Sequence, residues 1–137
     1  MAYRFELVSP ERRLASQDAT AVRIPGADGD MTAMQGHSPV ITTLRPGVLT
    51  VEGEGGPKRF AVTGGFAEIG PEETTVLAER ALPADEVGQE TYDDWVADAR
   101  RGHEEAQEDG VDSAAKVLAD MVAMGGEIGL DSRQSNL

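Results

Sequence analysis

Apolar and polar residues alternate with a period of two along the first half of the chain. Tyr3, Phe5 and Leu7 take one side of a run whose other side carries Arg4 and Glu6. That alternation predicts a strand with one face buried, because successive side chains of a strand point to opposite faces. Similar short runs near residues 12–15, 19–24, 30–34, 48–51, 59–63, 66–69 and 74–78 predict further strands. Turn signals separate them: Ser9-Pro10-Glu11, Pro25-Gly26, Asp28-Gly29, Gly36, Pro39, Pro46-Gly47, the glycine-rich residues 53–57, Gly64-Gly65 and Gly70-Pro71. Proline pre-sets φ and glycine accepts the positive φ of tight turns. The cluster of such signals over residues 25–47 excludes a helix there and predicts shaped loops, which dock partners more often than they merely connect. Many short strands at near-regular spacing predict a sandwich or barrel.

Beyond Pro83 the period changes. Ala84-Asp85-Glu86 reads as a helix start, with acids where the helix dipole favours them. Tyr92, Trp95, Val96, Ala99 and Ala106 recur at helical spacing, and Asp109-Gly110 is expected to break the helix. Asp112 or Ser113 is expected to cap a second helix with Ala114, Leu118, Met121 and Val122 as its apolar stripe, ended by Gly125-Gly126. Two such helices make an antiparallel hairpin. Its apolar face is narrow and rich in alanine, so it needs a surface to lie on. Tyr92 and Trp95 are the expected anchors between hairpin and β body. Residues 127–137 show no period. The expected organisation is a β domain over 1–83 and a helical hairpin over 84–137.

Charge sharpens that boundary. The net charge is -13. Residues 1–83 hold 11 acids and 8 bases, a net of -3, whereas residues 84–137 hold 14 acids and 4 bases, a net of -10. An acidic surface argues against nucleic acid and against direct binding to anionic lipid. The absence of cysteine excludes disulfides, thiolate metal sites and cysteine catalysis. No apolar run is long enough for a membrane span, and Arg4 and Glu6 interrupt any secretory leader pattern.

Candidate chemistry is sparse. The glycines of residues 53–58 lack the Gly-Lys-Ser/Thr ending of a phosphate loop, so a hairpin turn is expected. Asp28-Gly29-Asp30 is a fragment of a calcium loop without its remaining ligands, so no metal is expected. His37 and Ser38 are adjacent in an extended segment and point to opposite faces, which rules out a catalytic pair. The His37 ring is expected to bond a loop backbone, with an interface role as the alternative. The acidic band of residues 85–109 reads as a solvated helix face. No nucleophile, base and oxyanion site come together, so no enzyme and no cofactor are expected.

These features together resemble the epsilon subunit family of the F-type ATP synthase. Phe5-Glu-Leu-Val-Ser-Pro-Glu11 is similar to that family's opening strand and turn. Residues 36–47, Gly-His-Ser-Pro-Val-Ile-Thr-Thr-Leu-Arg-Pro-Gly, resemble its signature Gly-His-x-Pro-x-x-Thr-x-Leu/Ile-x-Pro-Gly, and Gly64-Gly-Phe-Ala-Glu68 and Thr75-Val-Leu-Ala78 resemble its later strands. The resemblance is in register over about residues 3–83. It implies a mainly β fold with an α appendage: a ten-stranded β sandwich of two sheets followed by the hairpin. It implies a non-catalytic place in the central stalk, coupling proton-driven rotation of the membrane ring to the gamma subunit, with alpha and beta subunits as further possible neighbours. That would make it a peripheral protein on the cytoplasmic face of a bacterial inner membrane.

By position, the resemblance puts Gly26, Ala27, Asp28, Gly29, Asp30 and Met31 against the ring, with Asp30 meeting a basic or amide group. Gly36, His37, Pro39, Thr42, Pro46 and Gly47 carry the signature and belong to the same foot region. Two activities of some relatives are not expected. Inhibition of ATP hydrolysis there uses basic residues of the second helix, whereas residues 111–137 here carry four acids against Lys116 and Arg133. ATP binding there uses an arginine where Tyr92-Asp-Asp-Trp-Val-Ala97 offers Val96. Two competing readings are a stand-alone β-sandwich adaptor and a ligand-binding barrel, the latter poorly supplied with only 4% aromatic residues.

Overall fold

The alternation of the first strand becomes burial: Tyr3, Phe5 and Leu7 are buried while Arg4 between them is exposed. The computed structural model describes residues 3–106 and 110–130. The strands are β1 (Tyr3–Val8), β2 (Arg13–Ala19), β3 (Ala21–Gly26), β4 (Gly29–Ala33), β5 (Val40–Leu44), β6 (Gly47–Glu52), β7 (Lys58–Val62), β8 (Gly65–Ile69), β9 (Glu73–Ala78) and β10 (Ala81–Pro83). One 3-10 turn (Ala84–Glu86) and two helices, α1 (Gln89–Glu104) and α2 (Val111–Glu127), complete the order. Among the described residues no helix is long and apolar enough to cross a membrane.

Two five-strand sheets face each other, β4-β3-β6-β7-β10 and β5-β8-β9-β1-β2. Among the described residues a single residue pair, Gly26 opposite Leu44, joins them at the end of β3. In the strand order β7 and β1 lie six steps apart. A flat sheet would separate them by roughly 29 Å. Instead the Phe5 and Phe60 rings, one from each strand, meet with centroids 6.4 Å apart. The sheet is therefore folded into a sandwich, and the core fills with inward residues of both layers, among them Leu7, Val22, Ile24, Leu49, Val62 and Val76.

The strands β5 and β10 have no clear periodic signal. In β5 both Val40 and Ile41 are exposed, so the run Val-Ile-Thr-Thr-Leu does not alternate. The three residues of β10 end on Pro83 and pair with β7.

The hairpin departs from expectation in detail. Residues 84–86 form one 3-10 turn only, because Val87 is extended and buried beside the helices. The first α-helix then starts at Gln89, and Ala106 lies past its end. The second starts at Val111 behind Gly110, with no side-chain cap from Asp112 or Ser113, and runs through Gly125 and Gly126 to Glu127. The expected break at Asp109 falls outside the described residues, as do residues 131–137. Both helices lie on the outer face of the first sheet. Tyr92, Trp95, Val96, Met121 and Met124 form one buried cluster with Ala61 of β7, flanked by Val48 and Leu82.

Candidate functional site

The turn between β3 and β4 is braced from the end of β5. The Ala27 amide donates to the Thr43 carbonyl at 2.8 Å, and the Arg45 amide donates to the Pro25 carbonyl at 2.9 Å. The Arg45 guanidinium donates to the Gly26 carbonyl at 2.6 Å and also to the Asp30 carboxylate. Glycine is needed at two close approaches. A Cβ on Gly26 would sit 2.6 Å from the Gly29 carbonyl, and one on Gly47 would sit 2.8 Å from the Pro25 Cβ. Either substitution forces backbone to move.

The loop residues divide by exposure. Gly26 is buried, so it shapes the loop rather than its surface; Ala27 and Met31 are half-buried; Asp28, Gly29 and Asp30 are exposed. Asp30 is exposed and already paired with Arg45 within the chain.

The signature residues also divide. Pro46 and Gly47 are buried beside the loop, and the Thr42 hydroxyl lies near Gly26. Gly36, His37 and Pro39 precede β5, whose two ends are about 14 Å apart at ordinary strand rise. There the Gly36 amide donates to the Pro71 carbonyl at 2.8 Å and the His37 amide to the Met34 carbonyl at 3.1 Å. The His37 ring donates from Nδ1 to the Ser38 carbonyl at 2.6 Å, the loop-backbone bond expected of it. Tyr92 is fully buried, and its hydroxyl lies 3.0 Å from the Val122 carbonyl and 3.2 Å from that of Met121. It therefore ties one helix to the other, while Trp95 packs in the cluster shared with Ala61.

One surface is absent from the sequence-level expectations. Phe66 on β8 pairs laterally with Thr43 on β5 and with Leu77 on β9, and Leu77 pairs in turn with Val8 on β1. This row lies on the outer face of the second sheet. Phe66 is 44% exposed and Leu77 37%, and Ile41, one row away, is 67% exposed. An open groove of about 780 Å³ runs along the row, and Val117 of α2 lines it as well. The signal was parity. Ala67, Ile69, Val76 and Ala78 take the inward positions, which leaves Phe66 and Leu77 on the side that faces water.

A two-layer sandwich with one outer face capped by a helical pair and an exposed apolar row on the other is the build of a protein-docking subunit. Comparison with known sequences makes this specific. Residues 2–84 match the β-sandwich domain of the ATP synthase delta/epsilon chain, and the chain belongs to that family. It is 52% identical to the ATP synthase epsilon chain of Paracoccus denitrificans, over 97% of this chain and 95% of the relative. It is 52% identical to the epsilon chain of Rhodobacter capsulatus, covering 93% and 96%, and 56% identical to that of Fuscovulum blasticum, covering 88% and 92%. The fold is shared with a chain of the Euglena gracilis mitochondrial ATP synthase, in an assembly of OSCP, F1 and c-ring, with a TM-score of 0.69 at 22% identity over 93% of this chain and 81% of that one. A chain of the Tetrahymena thermophila mitochondrial ATP synthase central stalk and c-ring gives 0.63 at 14% identity, covering 93% and 96%.

Proposed function

We propose that this chain is the coupling block of the synthase's central stalk, joining the gamma subunit to the membrane ring so that proton-driven rotation of the ring turns both. As a member of the epsilon-chain family it is a subunit of the ATP synthase and makes or breaks no bonds itself. A stand-alone adaptor is not favoured. The observation that carries the reading is the row of Phe66 and Leu77. The hairpin already covers the outer face of the first sheet, whereas this apolar row is open to water. An exposed apolar patch on a rigid body marks an interaction surface. Gamma docks there. The ring's polar loops meet the exposed turn of Ala27, Asp28, Gly29 and Asp30, with Gly26 and Met31 setting its shape. The β domain ends at Pro83, and the complex holds the chain peripherally on the cytoplasmic face of a bacterial inner membrane, a reading that the bacterial relatives support.

The test is co-purification with gamma. Both side chains are partly exposed, so the double substitution Phe66→Glu and Leu77→Glu leaves the sandwich intact. Burying two carboxylates against an apolar partner is expected to weaken binding by at least about a hundredfold. Retention of gamma at the wild-type level refutes the assignment of this face. Because the chain has no cysteine, Asp28→Cys supplies a unique cross-linking handle for the ring arm of the same experiment.

A further inference from the structure

Arg45 stands at the seam between the two sheets, directly after the single pair that joins them. Its guanidinium spans the loop it touches, since one N–H reaches the Gly26 carbonyl before the turn and another reaches the Asp30 carboxylate after it. The main chain repeats the grip through Arg45 to Pro25 and Ala27 to Thr43. The arginine side chain is only 24% exposed, whereas Asp30 is 77% exposed. The half-buried partner therefore holds the exposed one. A planar guanidinium suits two acceptors set side by side, while an ammonium is a point charge without that fork. The cleft behind Asp30, about 320 Å³, is also lined by Arg23, Arg59 and Glu127.

We propose that Arg45 is a positioning residue that fixes the turn over residues 26–31 in one shape and cancels the charge of Asp30. The docking partner then meets a rigid surface, recognised by shape and hydrogen bonds rather than by an unpaired carboxylate. The proposal rests on the reading that this loop meets the ring. It also explains why the last residues of the signature, Leu44 to Gly47, belong with the loop: they are its brace.

Arg45→Met, Arg45→Lys and Asp30→Asn test it in two arms. In the full chain, amide hydrogen exchange at Ala27 is expected to rise by about tenfold or more in Arg45→Met and by less in Arg45→Lys, with exchange in β1 and β8 unchanged. Asp30→Asn keeps an acceptor oxygen for the guanidinium and is expected to leave exchange within about threefold. Unchanged exchange in Arg45→Met overturns the proposal. In membrane vesicles with the assembled synthase, ATP-driven proton pumping per ATP hydrolysed is expected to fall in Arg45→Met and hold in Asp30→Asn. If Asp30→Asn lowers that ratio as far as Arg45→Met does, Asp30 acts as a charge contact and the proposal fails. Raised exchange in Arg45→Met with an unchanged pumping ratio leaves the brace standing and refutes the ring contact of the loop.

Discussion

Tyr92 and Gly125 show how one pair of residues holds the helical hairpin closed. Tyr92 is fully buried, and its hydroxyl meets carbonyls of α2 that lie one turn before Gly125. A Cβ on Gly125 would overlap that hydroxyl and the ring carbon bearing it. Glycine inside a helix costs about 1 kcal/mol against alanine. Here it allows a closeness between helices that no side chain permits. Gly125-Gly126 reads as a helix end when propensity alone is considered, and only the neighbouring tyrosine explains why the helix passes through. Gly125→Ala is expected to destabilise the closed hairpin by about 1–3 kcal/mol, since a rigid phenol ring must move. Tyr92→Phe is expected to cost about 1 kcal/mol by losing its hydrogen bond. Hydrogen exchange of the α2 amides measures both, and an unchanged or slower rate in Gly125→Ala would show that the notch is not needed.

The elements differ in how plainly they were written in the chain. The first strand was legible because one of its faces is buried and the other wet. The first helix was legible from Tyr92, Trp95, Val96 and Ala99, all of which are buried. Its start was misread because Val87 is drawn into the core, and that demand outweighs local helix preference. The fifth strand was illegible for the opposite reason: Ile41 is apolar yet points outward and Thr42 is polar yet points inward, so the period of two is lost. The hairpin as a unit depends on the outer face of β6, β7 and β10. Arg59 donates to the Glu127 carbonyl at the end of α2, and Arg80 bonds Asp98 of α1 at 2.6 Å. Arg80 and Asp98 are 41% and 36% exposed, so that pair contributes at most about 1 kcal/mol. Apolar contact holds the rest. Ala61→Asp places a carboxylate in the buried cluster at a cost of several kcal/mol. It is expected to lift the hairpin while the sandwich keeps its exchange protection. Protection of α1 and α2 at the wild-type level would show that the hairpin does not rest on β7.

Across the whole molecule the charge is lopsided, with residues 84–137 carrying a net of -10. Within α2 the one base, Lys116, already bonds Asp120 at 2.7 Å. An acidic partner approaching this helix meets repulsion, and the helix's one base is already paired. Val96 is buried in the hairpin cluster, so that position offers no cation to a phosphate. A synthase assembled without residues 84–137 is therefore expected to hydrolyse ATP within about twofold of the complete one, given that a strongly inhibitory contact would be worth several kcal/mol. A rise of severalfold would reveal an inhibitory hairpin.

The order of most strands and turns, the change of period near Pro83, the acidity of the hairpin and the family signature are local properties, and the chain determined them by itself. Periodicity and turn chemistry act over a few residues, so they survive in a linear reading. Three matters were decided only by tertiary structure: the grip of Arg45 on the loop ahead of it, the notch between Tyr92 and Gly125, and the open row of Phe66 and Leu77. Each joins residues distant along the chain or depends on which sheet face the hairpin covers. Burial and partnership of that kind exist only once the sheets have folded over one another.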